Sequence, residues 1–285
     1  EMLRSLVGSE MCIRDRQGSS RTALSAARQV LNGTLSGPGD PMNTARELFA
    51  VVDVIDSNAT LRRALGDPSR ESEAKRGLVQ RLFSGKIGYD AMAVVTAVAG
   101  ERWSSERDLS DALERLAVEA ATASAEKAGR ADAFENELFR FERTVASDAG
   151  LRDALSDRSR SGADKAGLVA RLLEGKVAPE TALLATRAAG SPRGRGFERA
   201  IEEFLEGVAG RRGQSSAIVT SAVELTPEQN ERLRAALTKM YGKPVQTNVV
   251  IDPSVVGGIK VAVGDDVIDG TIARRLDEAR AHLSG

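Results

Sequence analysis

The chain has 285 residues, enough for two domains or three small ones that each bury a core. Its 40 Lys and Arg against 41 Asp and Glu leave a net charge of -1, which excludes a chain-wide attraction to phosphate backbones and with it a general nucleic-acid binder. Aromatic residues make up 4% and there is one cysteine and one histidine, a balance that favours Ala- and Leu-rich helices over a β-sandwich and excludes an internal disulfide or a zinc site built on Cys and His.

A Ser-His-Asp or Cys-His nucleophile would have to be centred on Cys12 or His282. Both are near the chain ends, whereas such groups work in pre-organised clefts, so no catalytic, cofactor-binding or metal-ligating residue is assigned. No run reaches the ~18 to 20 apolar residues that span a bilayer, and no charged segment leads into an apolar one as in a signal peptide. A soluble protein of a reducing compartment is expected.

The chain opens on Glu1, and Ser5 to Arg16, SLVGSEMCIRDR, resembles a translated sequencing-adapter fragment. Residues 1–17 are therefore expected to be a non-native or disordered leader. A helix follows from about Arg21 to Leu31 with the stripe Leu24, Ala27 and Leu31, and the segment GTLSGPGDP forms a loop.

At an offset of 90, Leu61 to Ile87 aligns with Leu151 to Val177 without a gap and with 15 of 27 positions identical. Upstream, Glu47-Leu48-Phe49 meets Glu137-Leu138-Phe139; downstream, Thr96 and Gly100 meet Thr186 and Gly190. This is a duplicated unit. Leu48, Val51 and Ile55 in the first copy, and Leu138, Phe141 and Val145 in the second, form the same apolar stripe. Each copy continues with a short helix ending at Leu65 or Leu155 and a polar turn opened by Asp67 or Asp157. An amphipathic helix then stops at Gly85 or Gly175, residues suited to a left-handed C-cap. The segments AMAVVTAVAG and TALLATRAAG are apolar nearly all round and are expected to be buried central helices. Between the copies, Leu109, Leu113, Leu116, Ala120 and Ala123 mark one face of a long helix whose other face is charged. A last helix carries Phe197, Ile201, Phe204 and Val208. These stripes are core, or in part grooves that accept a partner helix.

Beyond Gly210-Arg211-Arg212-Gly213 the composition turns β-branched. Ser215 to Leu225 reads as a strand. Thr226, Pro227 and Gln229 then supply an N-cap, a first helical residue and a capping box for a helix with Leu233, Leu237 and Met240 on one side, ending at Gly242 before Pro244. Val245 to Ile251 and Ile259 to Val263 alternate as strands, with Val245, Thr247, Val249 and Ile251 on one face; Gly264 opens a turn. Asp269 can cap a final helix with the stripe Ile272, Leu276, Ala279 and Leu283. The fold class is α+β: tandem all-α bundles, then a small C-terminal α/β module with a mixed sheet. The expected divisions are 18–130, 131–210 and 211–285.

Several of these residues, in order, resemble the C-terminal signature of the delta subunit of F-type ATP synthases, the oligomycin-sensitivity-conferring protein family. They are Thr220, Ser221, Ala222, Leu225, Asp252, Pro253, Gly257, Gly258, Gly264, Asp269 and Gly270. The run from Leu61 to Leu82 is similar to the family's helical domain, and the resemblance covers nearly everything after residue 20. One departure is the tandem pair of helical units, where the usual member has one; the actinobacterial long forms share it. The resemblance implies a non-catalytic stator subunit without cofactors. Its helical part would receive N-terminal helices of alpha subunits, and its C-terminal module would hold the b stalk. It would act in proton-driven ATP synthesis at the cytoplasmic face of the plasma membrane, bound to the membrane only through the complex. The alternative is a free-standing helical adaptor.

Single residues carry competing readings. Gly257-Gly258 could cradle a phosphate, but no P-loop Lys follows and no helix opens behind, so a backbone bend is favoured. Asp252 and Asp269 could form a carboxylate pair, yet each sits where a turn or a helix cap wants an acid. Arg193 and Arg195, like Arg211 and Arg212, lack neighbouring aromatic residues and read as loop and hinge more than as an RNA-binding tract. Trp103 belongs at a helix junction or on a partner surface.

Overall fold

A computed structural model describes residues 2–213, 215–241, 245–255, 257–263 and 266–270, with side chains from residue 19 onward except those of 215, 216, 241, 246, 266 and 269. Among the described residues, twelve helices and a four-stranded mixed sheet give the expected α+β class. Helix α1 (Met2–Leu35) starts well before the expected Arg21 and buries Ala23, Ala27 and Leu31.

The duplication is visible element by element. The first copy holds α2 (Pro41–Ser57), α3 (Ala59–Gly66), α4 (Ser72–Phe83) and α5 (Tyr89–Gly100). The long α6 (Glu106–Lys127) follows, and then the second copy: α7 (Ala131–Ser147), α8 (Ala149–Ser156), α9 (Gly162–Leu173) and α10 (Pro179–Gly190). Every boundary of the first four recurs 90 residues later, because the residues that set the boundaries recur. Asn58 accepts from the Leu61 amide at 3.0 Å and Asp148 from that of Leu151 at 2.9 Å, each capping the short helix. The Arg62 and Arg152 guanidinium groups donate to the Asp56 and Ala146 carbonyls of the preceding helix. Asp67 and Asp157 each accept from the amide and hydroxyl of the serine two residues on. Gly85 and Gly175 take φ of 72° and 69° at the turn after the amphipathic helix, where a side chain would be strained.

The chain divides into two compact units. The first comprises Glu1–Phe134 and Val169–Arg187. In it α6 is packed by α1, α2, α3 and α5, and α4 packs on α5. Residues Ala91 to Gly100 of α5 include no exposed side chain, as expected of a central helix. On α6 the expected charged side keeps Arg107, Asp111, Arg115 and Glu126 exposed, but Glu114 and Glu119 are buried, because helices cover α6 on several sides. Glu119 is neutralised by a two-pronged pair with Arg28 of α1, at 2.6 to 3.0 Å. Trp103 lies at a helix junction, 4% exposed, its indole N–H donating to the Val98 carbonyl at 2.8 Å.

The second unit comprises Glu135–Leu168 and Ala188–Gly285. In α11 (Phe197–Arg211), Phe197, Ile201, Phe204 and Val208 are all buried. Phe141 meets the Phe197 ring edge-on at 5.9 Å, and the buried Glu135 pairs with Arg212. The sheet has the order β2-β1-β3-β4. β1 (Ser215–Ser221) runs parallel to β2 (Val245–Ile251) across the connecting α12 (Pro227–Tyr241), while β3 (Ile259–Val263) and β4 (Asp266–Asp269) are antiparallel. Leu237 of α12 closes a core of Ala217, Val219, Val245, Val261 and Val263, with Leu225, Leu233, Val249 and Ile259 packed around it. The capping box is in place: the Thr226 amide donates to Gln229 Oε1 at 2.9 Å, and the Gln229 amide to Thr226 Oγ1 at 3.3 Å.

Four details depart from expectation. β1 stops at Ser221 rather than Leu225, and Val267-Ile268 belongs to a fourth strand. Met240 and Ile251, expected on inward faces, are exposed at the ends of their elements. Gly242, Pro244, Gly264, His282 and the final helix expected after Asp269 lie outside the described residues.

Candidate functional site

The described signature residues of the C-terminal module converge on one end of its sheet. In register, Ser221 of β1 pairs with Ile251 of β2 and Ile259 of β3, and Lys260 of β3 pairs with Asp269 of β4. This places the ends of β1, β2 and β4 beside the start of β3. The Asp252 amide donates to the Ser221 carbonyl at 2.8 Å, and the Gly270 amide to the Ile259 carbonyl at 3.0 Å. Asp252 accepts from the Ser254 hydroxyl at 2.7 Å and amide at 2.9 Å, which hold its carboxyl below the usual range. It therefore closes a turn. Gly257 and Gly258 have φ of 65° and 79°, the backbone bend that leads into β3. Pro253 lies in that turn, Thr220 is in β1, and Ala222 and Leu225 lie between β1 and α12. Val223 and Ile251 add exposed apolar surface at this end of the sheet.

In the first unit, two ion-pair clusters fix α10. Glu180, in its first turn, is fully buried; Arg130 donates to both of its carboxylate oxygens at 2.8 and 3.0 Å, and Ser124 to one at 2.6 Å. Burial pushes the Glu180 carboxyl up, but the bonds from Arg130 and Ser124 outweigh it, so the group titrates below the usual glutamate range. One turn from the end of α10, Arg187 reaches Asp53 of α2 at 2.7 Å and lies over the Phe49 ring at 5.0 Å. An open cavity of about 430 Å³ lies between the α1–α2 loop and the start of α5, lined by residues that include Thr34, Gly39, Asp40, Glu47, Tyr89 and Asp90. Among the described residues no group of three His, Cys, Asp or Glu side chains could hold a metal ion. No described helix is long and apolar enough to cross a membrane.

Residues 117–283 match the family described as ATP synthase delta (OSCP) subunit. The ATP synthase subunit delta of Kineococcus radiotolerans is 53% identical over 269 residues, 94% of this chain and 98% of that protein. The chain belongs to the ATP synthase delta (OSCP) subunit family. The ATP synthase subunit delta of Streptomyces coelicolor is 45% identical over 268 residues, 94% of this chain and 98% of that protein. A chain in the cryo-EM structure of the Toxoplasma gondii mitochondrial ATP synthase hexamer covers 59% of this chain and 95% of its own length, with a TM-score of 0.37 and 17% identity. So distant a likeness carries no inference about contacts.

For this delta-family chain, the sheet gathers those of the sequence-derived residues that are described; Gly264 lies outside the described residues. The polar clusters of the helical part were missed. Their signal lies in the differences between the two copies: Asp40 and Ala97 of the first stand where the second has Arg130 and Arg187.

Proposed function

We propose that this chain is a non-catalytic peripheral-stalk subunit of a proton-translocating F-type ATP synthase, linking the catalytic alpha/beta head to the membrane-anchored b stalk. The observation that carries this reading is the 53% identity to the Kineococcus subunit delta across 98% of that protein. In this reading the helical units, 18–130 and 131–210, receive N-terminal helices of alpha subunits. The module 211–285 holds b through the sheet end where Ser221, Asp252, Gly257, Gly258 and Gly270 gather. The protein lies on the cytoplasmic face of the plasma membrane, attached through the complex. Helix bundles suit this role because they offer grooves to amphipathic helices, and a tether under torque needs slow dissociation more than fast association. The test is reconstitution: adding the chain to stripped membranes and soluble catalytic heads should restore proton-driven ATP synthesis. Binding without any restored coupling would overturn the stator role.

A further inference from the structure

The two copies make an internal comparison at one place. Thr34, Gly39, Asp40, Glu47 and Asp90 of the first copy correspond at the 90-residue offset to Ser124, Gly129, Arg130, Glu137 and Glu180 of the second. The correspondence is structural as well. Asp40 and Arg130 both precede the second helix of their pattern, their carbonyls accepting from the Thr44 and Phe134 amides at 3.0 and 2.9 Å. Asp90 and Glu180 are both in the first turn of the helix that closes the copy.

In the second copy this place is filled from within: the Arg130 guanidinium forks onto both oxygens of Glu180, and Ser124 donates to the same carboxylate. In the first copy the residue at the arginine's position is Asp40, whose carboxylate turns to its own helix and accepts from the Met42 amide at 2.9 Å. Among the described residues no cation pairs with Asp90, and the space beside it is the 430 Å³ cavity. Tyr89, at 85% exposed one of the few bare large apolar side chains of the first unit, flanks that cavity. The second copy has Pro179 there.

We infer that the first copy's cavity receives an arginine side chain from a partner chain, with Asp90 pairing its guanidinium as Glu180 pairs Arg130, and Tyr89 covering the cationic plane. Guanidinium is favoured over ammonium because the template pair is a two-pronged fork, which a lysine cannot reproduce. A planar cation also stacks on an aromatic face. An anion is disfavoured despite the two helix starts nearby, since Asp40, Glu47 and Asp90 line the space. Lys127, which does not line the cavity, donates to the Gly39 carbonyl at 3.1 Å. Gly39 forms the wall against Asp90: a Cβ there would meet Asp90 Oδ2 at 2.0 Å. The inference rests on the repeat and the cavity and stands apart from the stator reading.

The chain has two tyrosines, Tyr89 and Tyr241, so the full-length protein labelled with 3-fluorotyrosine gives two fluorine signals, assigned with Tyr241→Phe. N-acetyl-arginine amide should shift the Tyr89 signal saturably and leave that of Tyr241 in place. The citrulline analogue, of the same shape without charge, should shift neither. Asp90→Asn removes the charge, and Gly39→Ala displaces the carboxylate while clashing only with a mobile side-chain end. Each should weaken the arginine probe by at least about tenfold, the loss of one charge-assisted hydrogen bond, with thermal unfolding close to that of the parent. An absent Tyr89 shift, an equal response to citrulline, unchanged binding by both variants, or a response to calcium ions in place of arginine would each overturn the inference.

Discussion

Glu180 has no solvent contact, and its charge survives burial because Arg130 and Ser124 surround it with donors. Removing the cation from a buried pair costs about 3 to 5 kcal/mol when both partners are inside. Arg130 is 40% exposed, so Arg130→Ala should destabilise by less, about 2 to 3 kcal/mol, as measured by urea unfolding at neutral pH. The pH dependence follows from the lowered carboxyl. Below the folded value the proton returns, so the stabilisation is complete above the unfolded glutamate range and is lost as pH falls through the folded value. Glu180→Gln should flatten this part of the acid limb of the stability curve; an unchanged limb would remove Glu180 from its cause. No local pattern showed this pair, because Arg130 and Glu180 are 50 residues apart, and its signal was only the replacement of Asp40 by Arg130 between the copies. Trp103 was half legible: a lone indole has a donor to satisfy, but only the fold shows that Val98 accepts it.

Among the elements, legibility followed the strength of the local signal. The helices of both copies could be read because their apolar stripes recur in phase and Gly85 and Gly175 follow the amphipathic helix, and the start of α12 because Thr226 and Gln229 satisfy each other's amides. Thr226→Ala should therefore lower the stability of the C-terminal module by about 1 kcal/mol, read as an earlier loss of α12 in hydrogen exchange. β4 was missed since two apolar residues carry no periodicity. The burial around α6 was missed because charge was read as a solvated face, whereas Glu119 pairs with an arginine 91 residues away. The duplicated helices also differ where identity alone is silent. In the first copy Ser72 donates to the Gly100 carbonyl at 2.6 Å. At the matching place in the second copy the residue is Gly162, and a Cβ there would lie 2.1 Å from the Gly190 carbonyl oxygen. Backbone cannot swing aside as a side chain can, so Gly162→Ala must part α9 from α10, at about 1 to 3 kcal/mol by thermal unfolding. The reverse change, Ser72→Gly, meets no such wall and should cost less than Gly162→Ala.

For the whole molecule, the family reading places helical docking and stalk attachment on different parts of one chain, and this is open to a paired substitution within α12. Leu237 is 3% exposed at the centre of the sheet core, whereas Met240, three residues on, is 66% exposed. Leu237→Asp would bury a carboxylate among the apolar side chains of Ala217, Val219, Val245, Val261 and Val263, a change of the most destabilising kind, about 4 kcal/mol or more. Met240→Asp puts the same charge into water and should fall within about 0.5 kcal/mol of the parent. The small module has few other contacts to draw on, so the first variant should lose the sheet and keep the helices. Circular dichroism would then show a helical signal close to the parent's beside early protease cleavage beyond Arg212. In reconstitution with stripped membranes and catalytic heads, Leu237→Asp should still bind heads but fail to restore coupling, and Met240→Asp should restore it. If Leu237→Asp coupled normally with its sheet demonstrably unfolded, stalk attachment would have to be reassigned to the helical units.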